Sequence, residues 1–220
     1  MPWLGYFDKM DRADTFVLLD DVQFKKNEWQ NRNRVRNANG SQWITVPVSF
    51  DFGDTIDQVR IDNHGRWEKK HLKSLETNYA KAPFFQEYFP FFRETYSRRW
   101  DRLSDLNVHI IDFFKSSLGI EAELRLSSDM GIRSSGTRRL VDICERLGAD
   151  AYLAGEGGRE YMDIRVFGDK GIDLEFQRYE HPEYEQVYDG FEPFMSVVDL
   201  LFNHGKRSLD IIRSGRTHDA

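Results

Sequence analysis

Between residues 122 and 176 the chain alternates strand and helix signals so regularly that few folds can accommodate it. Ala122 to Leu126 reads as a strand. Ser134 and Ser135 stand before a helix that carries Leu140, Val141, Cys144 and Leu147 on one stripe and is closed by Gly148. Ala151 to Ala154 is a second strand, Gly155-Glu156-Gly157-Gly158 turns the chain into a helix from Arg159, and Leu174 to Phe176 is a third strand. A β–α–β–α–β order requires parallel strands joined by crossover helices. Phe16-Val17-Leu18-Leu19, within a strand expected over residues 15–22, adds a fourth run of the kind buried on both faces. The expected class is α/β, a mostly parallel sheet with flanking helices.

The remainder fits around that frame. Residues 3–7 are apolar, and Asp8 to Ala13 reads as a short helix or turn. Residues 23–41 are polar and end at Asn39-Gly40, a turn signal before a strand from Trp43 to Phe50, with another short strand over Ile56 to Ile61. This predicts a small β-hairpin. A helical insertion follows over about residues 66–118. Its first helix shows a three/four spacing at Trp67, Lys70, His71, Ser74 and Leu75. Its second, Phe85 to Trp100, is unsettled by Pro90, and its third runs from about Arg102 to Leu118 and stops at Gly119. A last helix spans Ser196 to Phe202. Residues 1–220 read as a single domain, with 206–220 as a polar, frayed tail.

Charge and cysteine usage narrow the function. Net charge is −6, from 31 basic and 37 acidic residues, which argues against a general nucleic-acid binder. One cysteine allows no internal disulfide, no apolar run nears the ~20 residues of a membrane span, and the start lacks a secretory leader. The expectation is a cytoplasmic protein acting on a small molecule, of undetermined oligomeric state.

Candidate site residues cluster where strands should end, because polar ligands bind beyond the carboxyl ends of parallel strands. Asp20 and Asp21 follow the Phe16–Leu19 run and are candidate catalytic carboxylates, with Gln23 just after them. An acidic pair there also serves as a turn cap or as partner for arginines. Trp29 precedes Asn31-Arg32-Asn33-Arg34. In an extended segment the two amides face one way and the two guanidiniums the other, suiting sugar oxygens on one face and phosphate or carboxylate on the other. Gly155, Gly157 and Gly158 let backbone N–H groups approach an anion, with Tyr161 beside them, or they make a plain tight turn. His181 follows the last strand and is placed to move protons near neutral pH, though a histidine before proline is also an ordinary surface residue. Tyr184 and Gln186 line a wall of the same loop.

Other motifs are set aside. Cys144 lies on an apolar stripe and reads as a buried thiol, and His71 and Trp67 read as packing partners one turn apart. His64, His109, His204 and His218 lack zinc-ligand spacing, so no metal site is assigned and no cofactor is expected, although two adjacent carboxylates are a pair that can hold Mg²⁺ with substrate phosphates.

Leu4-Gly5-Tyr6-Phe7, Asp20-Asp21-Val22-Gln23-Phe24, Trp29 to Arg34, Trp43 to Pro47, Tyr152 to Gly155 with Gly157, Gly158 and Tyr161, His181-Pro182 with Tyr184 and Gln186, and Ser196 to Asn203 with Gly205 together resemble the WbqC-like protein family, in order over about residues 3–205. The resemblance implies a role in O-antigen or other surface-polysaccharide biosynthesis, with aminoacyl transfer, such as glycyl, onto an amino sugar or sugar nucleotide, and an acyl carrier or acyl-adenylate as donor. It carries over no catalytic residue. Members of the family begin a few residues earlier, with a Gln-Pro-x-Tyr-type segment before the Gly-Tyr-Phe, so a first strand is expected to be lacking here. The alternatives are a nucleotidyltransferase-like nucleotide-binding enzyme and a non-catalytic carbohydrate-binding protein.

Overall fold

The computed structural model describes residues 1–217. Helix α1 (Leu4–Asp11) leads into β1 (Thr15–Leu18). Two antiparallel pairs follow, β2 (Arg32–Asn37) with β3 (Gly40–Thr45) and β4 (Val48–Ser49) with β5 (Arg60–Ile61). Helices α2 (Trp67–Tyr79), α3 (Phe85–Thr95) and α4 (Leu103–Leu118) form the insertion. Then come β6 (Glu123–Leu126), α5 (Gly136–Leu147), β7 (Ala151–Ala154), α6 (Arg165–Gly168), β8 (Asp173–Phe176), α7 (Val197–His204) and α8 (Ser208–Ser214).

The parallel pairing expected from the alternation is present, but not as one sheet. β1 pairs with β6 from Thr15↔Glu123 to Leu18↔Leu126, and β7 pairs with β8 from Ala151↔Asp173 to Ala154↔Phe176. A cleft of about 480 Å³ lies between the two pairs. The helices divide between two apolar clusters. Helices α1 to α4, α7 and α8 pack around β1, the hairpins and β6, whereas α5 and α6 pack with β7 and β8. Cys144 sits within the second cluster, where burial pushes its thiol up to about 11, as expected of an inert buried cysteine.

Helix α1 holds the two halves together. Its Tyr6 ring lies edge-on to Phe16 at 5.1 Å and Phe7 to Phe114 of α4 at 5.8 Å. From the other half, Gln177 donates through Nε2 to the Gly5 carbonyl at 2.8 Å and to Asp8 Oδ2 at 2.7 Å. Asp8 is fully buried, and Arg216 Nε reaches its second oxygen at 2.6 Å.

Several boundaries differ from the sequence reading. α1 begins at Leu4 because Leu4, Phe7 and Met10 form one buried stripe. β1 ends at Leu18, where Asp20 N turns back to the Leu18 carbonyl at 3.0 Å. The Trp43–Phe50 strand is broken at Pro47, which lacks the N–H a ladder needs. The Asn39-Gly40 hairpin forms, with Gly40 at φ +122. The helix from Arg159 is replaced by a 3₁₀ turn over Glu156–Glu160 before α6. The tail is not frayed over its described part. α8 buries Leu209 and Ile212, and Arg213 and Arg216 pair with Asp11 on α1. Residues 218–220, including His218, lie outside the described residues.

His71 on α2 ties the insertion to the hairpin by donating Nε2–H to the Thr45 carbonyl at 3.1 Å, with the Trp67 ring edge-on at 5.2 Å. Burial lowers its pKa from 6.5 to about 4. The unfolded chain therefore takes up the proton first. The stability from a neutral His71 is complete above pH 6.5 and is lost as pH falls toward 4. Urea unfolding at pH 7 and 4.5 should show the wild type losing roughly 2–3 kcal/mol more than His71→Gln.

Candidate functional site

The two halves share one polar end. The first turn of α5 is reached from both pairs. Arg139 forms an ion pair with Asp21, just after β1, and Thr137 Oγ1 accepts from the Asp163 N–H, beyond β7, at 3.0 Å. The carboxyl ends of the parallel strands therefore lie on one side.

Asp20 is buried there and saturated. Its Oδ1 accepts from the Ser128 N–H at 3.0 Å and from Ser127 Oγ at 3.2 Å, and Oδ2 accepts from Ser128 Oγ at 2.6 Å. Asp21 accepts from Ser127 Oγ as well as pairing with Arg139. These bonds lock β1 to the turn after β6. Gln23 is exposed, in an antiparallel bridge to Thr55. Within the glycine turn, packing constrains Gly158. A Cβ on Gly158 would stand 2.8 Å from Met162 Sδ, whereas Gly155 and Gly157 border open space. Tyr161 is three-quarters exposed.

The amide–guanidinium run occupies β2 and splits between two faces. Asn31 and Asn33 are buried. Asn31 donates to the Val46 carbonyl at 3.1 Å, and Asn33 donates to the Met1 carbonyl at 2.7 Å. Asn31 Oδ1 has no partner and borders a cavity of about 30 Å³, room for one water. Arg32 and Arg34 lie on the opposite face, their guanidiniums 4.3 and 6.0 Å from the Trp43 ring centre. Trp29 stands beside Trp43 at 5.5 Å, and both indoles are about half exposed. Arg34 also donates to the Pro193 carbonyl at 3.3 Å. Neither Arg32 Nε nor Arg34 Nε has an acceptor.

That face continues into the loop after β8. Trp3 is held by an antiparallel bridge to Ser196, and its ring lies across Gly5, where a Cβ would stand 2.4 Å from it. His181 is stacked between Trp3 at 6.4 Å and Tyr184 at 6.2 Å, with Phe194 edge-on at 5.2 Å. Phe194, two residues past Glu192 and half exposed, holds a left-handed φ of +59, a strained conformation for an aromatic residue. His181 Nδ1–H donates to the Pro182 carbonyl at 2.9 Å, which leaves the lone pair on Nε2, and Nε2 has no partner. Burial lowers the His181 pKa below 6.5, so the ring is neutral at pH 7.

The expected site residues thus fall into two groups and do not line one cavity. Asp20 and Asp21 join Ser127, Ser128 and Arg139, with the glycine turn on the same side through Thr137 and Asp163. Trp29, Asn31 to Arg34 and His181 join Met1, Trp3, Trp43 and Phe194. Tyr184 and Gln186 lead inward to a residue the sequence reading missed. Asp199 of α7 is fully buried and accepts from Tyr79 at 2.8 Å, Tyr184 at 2.8 Å and Gln186 at 2.9 Å. Burial raises its pKa against the pull of those bonds and of Arg36. A lone carboxylate within Val197-Val198-Asp199-Leu200-Leu201-Phe202 was the available signal.

Helices packed on short two-stranded sheets, two of them parallel, define a mixed α/β protein. The sequence profile of the WbqC-like protein family matches residues 1–211, and the chain belongs to that family. It is 37% identical over 217 residues to "Uncharacterized protein Rv1507c" of Mycobacterium tuberculosis (strain ATCC 25618 / H37Rv), a match covering 97% of this chain and 94% of the relative. No solved structure matches it. Among the described residues no helix is long and apolar enough to cross a membrane, and no three His, Cys, Asp or Glu side chains gather as a metal site.

The Asp199 network carries a stability prediction. Asp199→Ala leaves three donors without their acceptor and should cost at least ~3 kcal/mol in urea unfolding, against ~1 kcal/mol for Tyr184→Phe.

Proposed function

We propose that this chain transfers an acyl or aminoacyl group to the amine of an amino sugar, presented as a sugar nucleotide, in surface-polysaccharide assembly. The observation that carries the reading is His181, a neutral imidazole with its tautomer fixed by Pro182 and an unpartnered lone pair on Nε2. It sits among the Trp3 and Phe194 rings, and Arg34, which shares the Trp43 face with Arg32, donates to Pro193 beside Phe194. Aromatic faces suit a sugar or a base, and forked cations suit a diphosphate. Asp20 and Asp21 fit a base role less well, because their oxygens are taken up by Ser127, Ser128 and Arg139.

In the proposed step the amine nitrogen attacks the carbonyl carbon of a thioester or acyl-adenylate. The C–N bond forms, the C–S or C–O bond breaks, the thiolate or nucleotide phosphate leaves, and the ammonium proton passes to His181 Nε2. Nε2 is closed off from solvent, so an incoming amine displaces the Phe194 or Trp3 ring to reach it. Arg32 and Arg34 hold the phosphates, and Trp43 and Trp29 stack on the sugar or base.

His181→Gln should lower transfer by roughly 10²–10⁴-fold while sugar-nucleotide affinity stays within a few fold. The wild-type rate should fall on the acid side only below pH 6.5, since protonated His181 cannot accept the proton. Undiminished transfer by His181→Gln rules the role out. The exposed Trp29–Trp43 pair also favours a non-catalytic sugar-binding reading. Sugar affinity lost in Trp43→Ala, with no turnover from any acyl donor, selects that reading instead.

A further inference from the structure

The Phe194 ring stands edge-on to His181, whose Nε2 is buried, and the backbone around Phe194 shows how that closure is held. The chain is pinned on either side. Gln186 bonds both backbone groups of Glu192, donating to its carbonyl at 3.0 Å and accepting from its N–H at 2.9 Å. Met195 and Ser196 are fully buried, and the Ser196 N–H donates to the Arg34 carbonyl at 2.9 Å. Between these anchors only Pro193 and Phe194 are left to turn. Phe194 holds φ +59, where an L side chain is strained, and among the described residues its N–H has no acceptor.

One peptide plane holds both the strain and its relief. The Pro193 carbonyl and the Phe194 N–H belong to the same planar group, so they rotate together. A rotation of about 180° carries the Phe194 φ from +59 to roughly −120, inside the broad extended region. The bond that opposes this rotation comes from Arg34, which donates through one terminal nitrogen to the Pro193 carbonyl at 3.3 Å. Its other terminal nitrogen lies 3.7 Å from the Glu192 carboxylate. Glu192 thus stands where an anion fits and keeps Arg34 turned toward the carbonyl. The guanidinium is not saturated, since its Nε has no acceptor. The ion pair is a quarter to a third exposed, so it is weak and open to exchange for a more highly charged partner.

We propose that, with His181 as the base assigned above, Arg34 and Glu192 latch the Phe194 gate and a diphosphate releases it, so that only an amine carried on a phosphorylated sugar reaches His181. A diphosphate engages the forked guanidinium at two points and displaces Glu192. Arg34 then leaves the Pro193 carbonyl, the peptide plane rotates, and the Phe194 ring swings off the imidazole. A free amino sugar brings no anion to Arg34 and meets a closed ring. Glu192 is therefore a specificity-determining residue, and phosphate recognition on the Trp43 face is coupled to access at His181.

Access to Nε2 is measured without any turnover. Diethyl pyrocarbonate reacts with the lone pair of a neutral imidazole, and peptide mass spectrometry separates His181 from the exposed His64. Inorganic pyrophosphate should speed modification of His181 by at least about tenfold and leave His64 unchanged, whereas sodium chloride of equal ionic strength should not. Arg34→Met should leave His181 reactive with or without pyrophosphate. Glu192→Gln should lower the pyrophosphate concentration needed by several fold. Phe194→Gly, which takes a positive φ without strain, should expose His181 in the absence of any anion. Pyrophosphate that binds the wild type in calorimetry yet leaves His181 slow overturns the latch and spares the transfer reading. Absence of binding overturns the latch together with the phosphate role of Arg34. A gate that opens to pyrophosphate in a protein with no turnover from any acyl donor keeps the latch and overturns the transfer reading alone.

Discussion

Asp8 is the residue on which the arrangement turns. It is a carboxylate with no exposure to solvent, and such a group persists in a fold only when strong donors surround it. Gln177, just past β8, and Arg216, past α8, supply them. Through this one side chain the first helix, the second strand pair and the end of the described chain are fixed to each other. Asp11 adds Arg213 and Arg216 one turn later. The Gln177 bond to the Gly5 carbonyl and the Arg12–Glu175 ion pair join the same two halves along α1, across the cleft that separates their strands.

The same anchor sets the polar end of the molecule. α1 starts there, so fixing it fixes Trp3, and Trp3 fixes one face of His181. The other wall is the loop from His181 to Phe194. That loop would be a mobile surface segment but for the Asp199 carboxylate beneath it, which receives Tyr184 and Gln186, and for Arg36, which donates to the Gln186 side chain at 3.1 Å and to the Asp189 carbonyl at 2.8 Å. Buried polar networks specify one geometry because each unmade bond is costly in a low dielectric. A strained Phe194 is tolerated at the rim of such a fixed loop.

What could be read in the sequence follows from how far each signal reaches. The α/β class, β7, α4 with its Gly119 stop and the Asn39-Gly40 turn were legible because local spacing and turn chemistry decide them. The split of Asn31 and Asn33 from Arg32 and Arg34 was legible for the same reason, since a strand alternates. Roles decided by distant partners were not. Asp20 and Asp21 were visible at a strand end, but Ser127 and Ser128 lie more than a hundred residues on and turn the pair into a structural clasp. The residues around Arg213 and Arg216 resembled a solvated tail because their carboxylate partners stand at the opposite end of the chain. The glycine turn suggested an anion cradle, while contact with Met162 gives Gly158 a steric reason. The continuous sheet was expected from strand order alone, which cannot register that β1 and β7 do not touch.

In the proposed reading Asp20 and Asp21 serve as scaffold, held by Ser127, Ser128 and Arg139, and the chemistry falls to the face that runs from Trp43 through Arg34 to His181. A crystal structure of the chain soaked with a uridine diphosphate amino sugar tests this most directly. The predicted result places the diphosphate within hydrogen-bond reach of Arg32 or Arg34 and the sugar amine facing His181 Nε2. Ligand density against Asp20 and Asp21, with the Trp43 face empty and His181 still sealed, would contradict it.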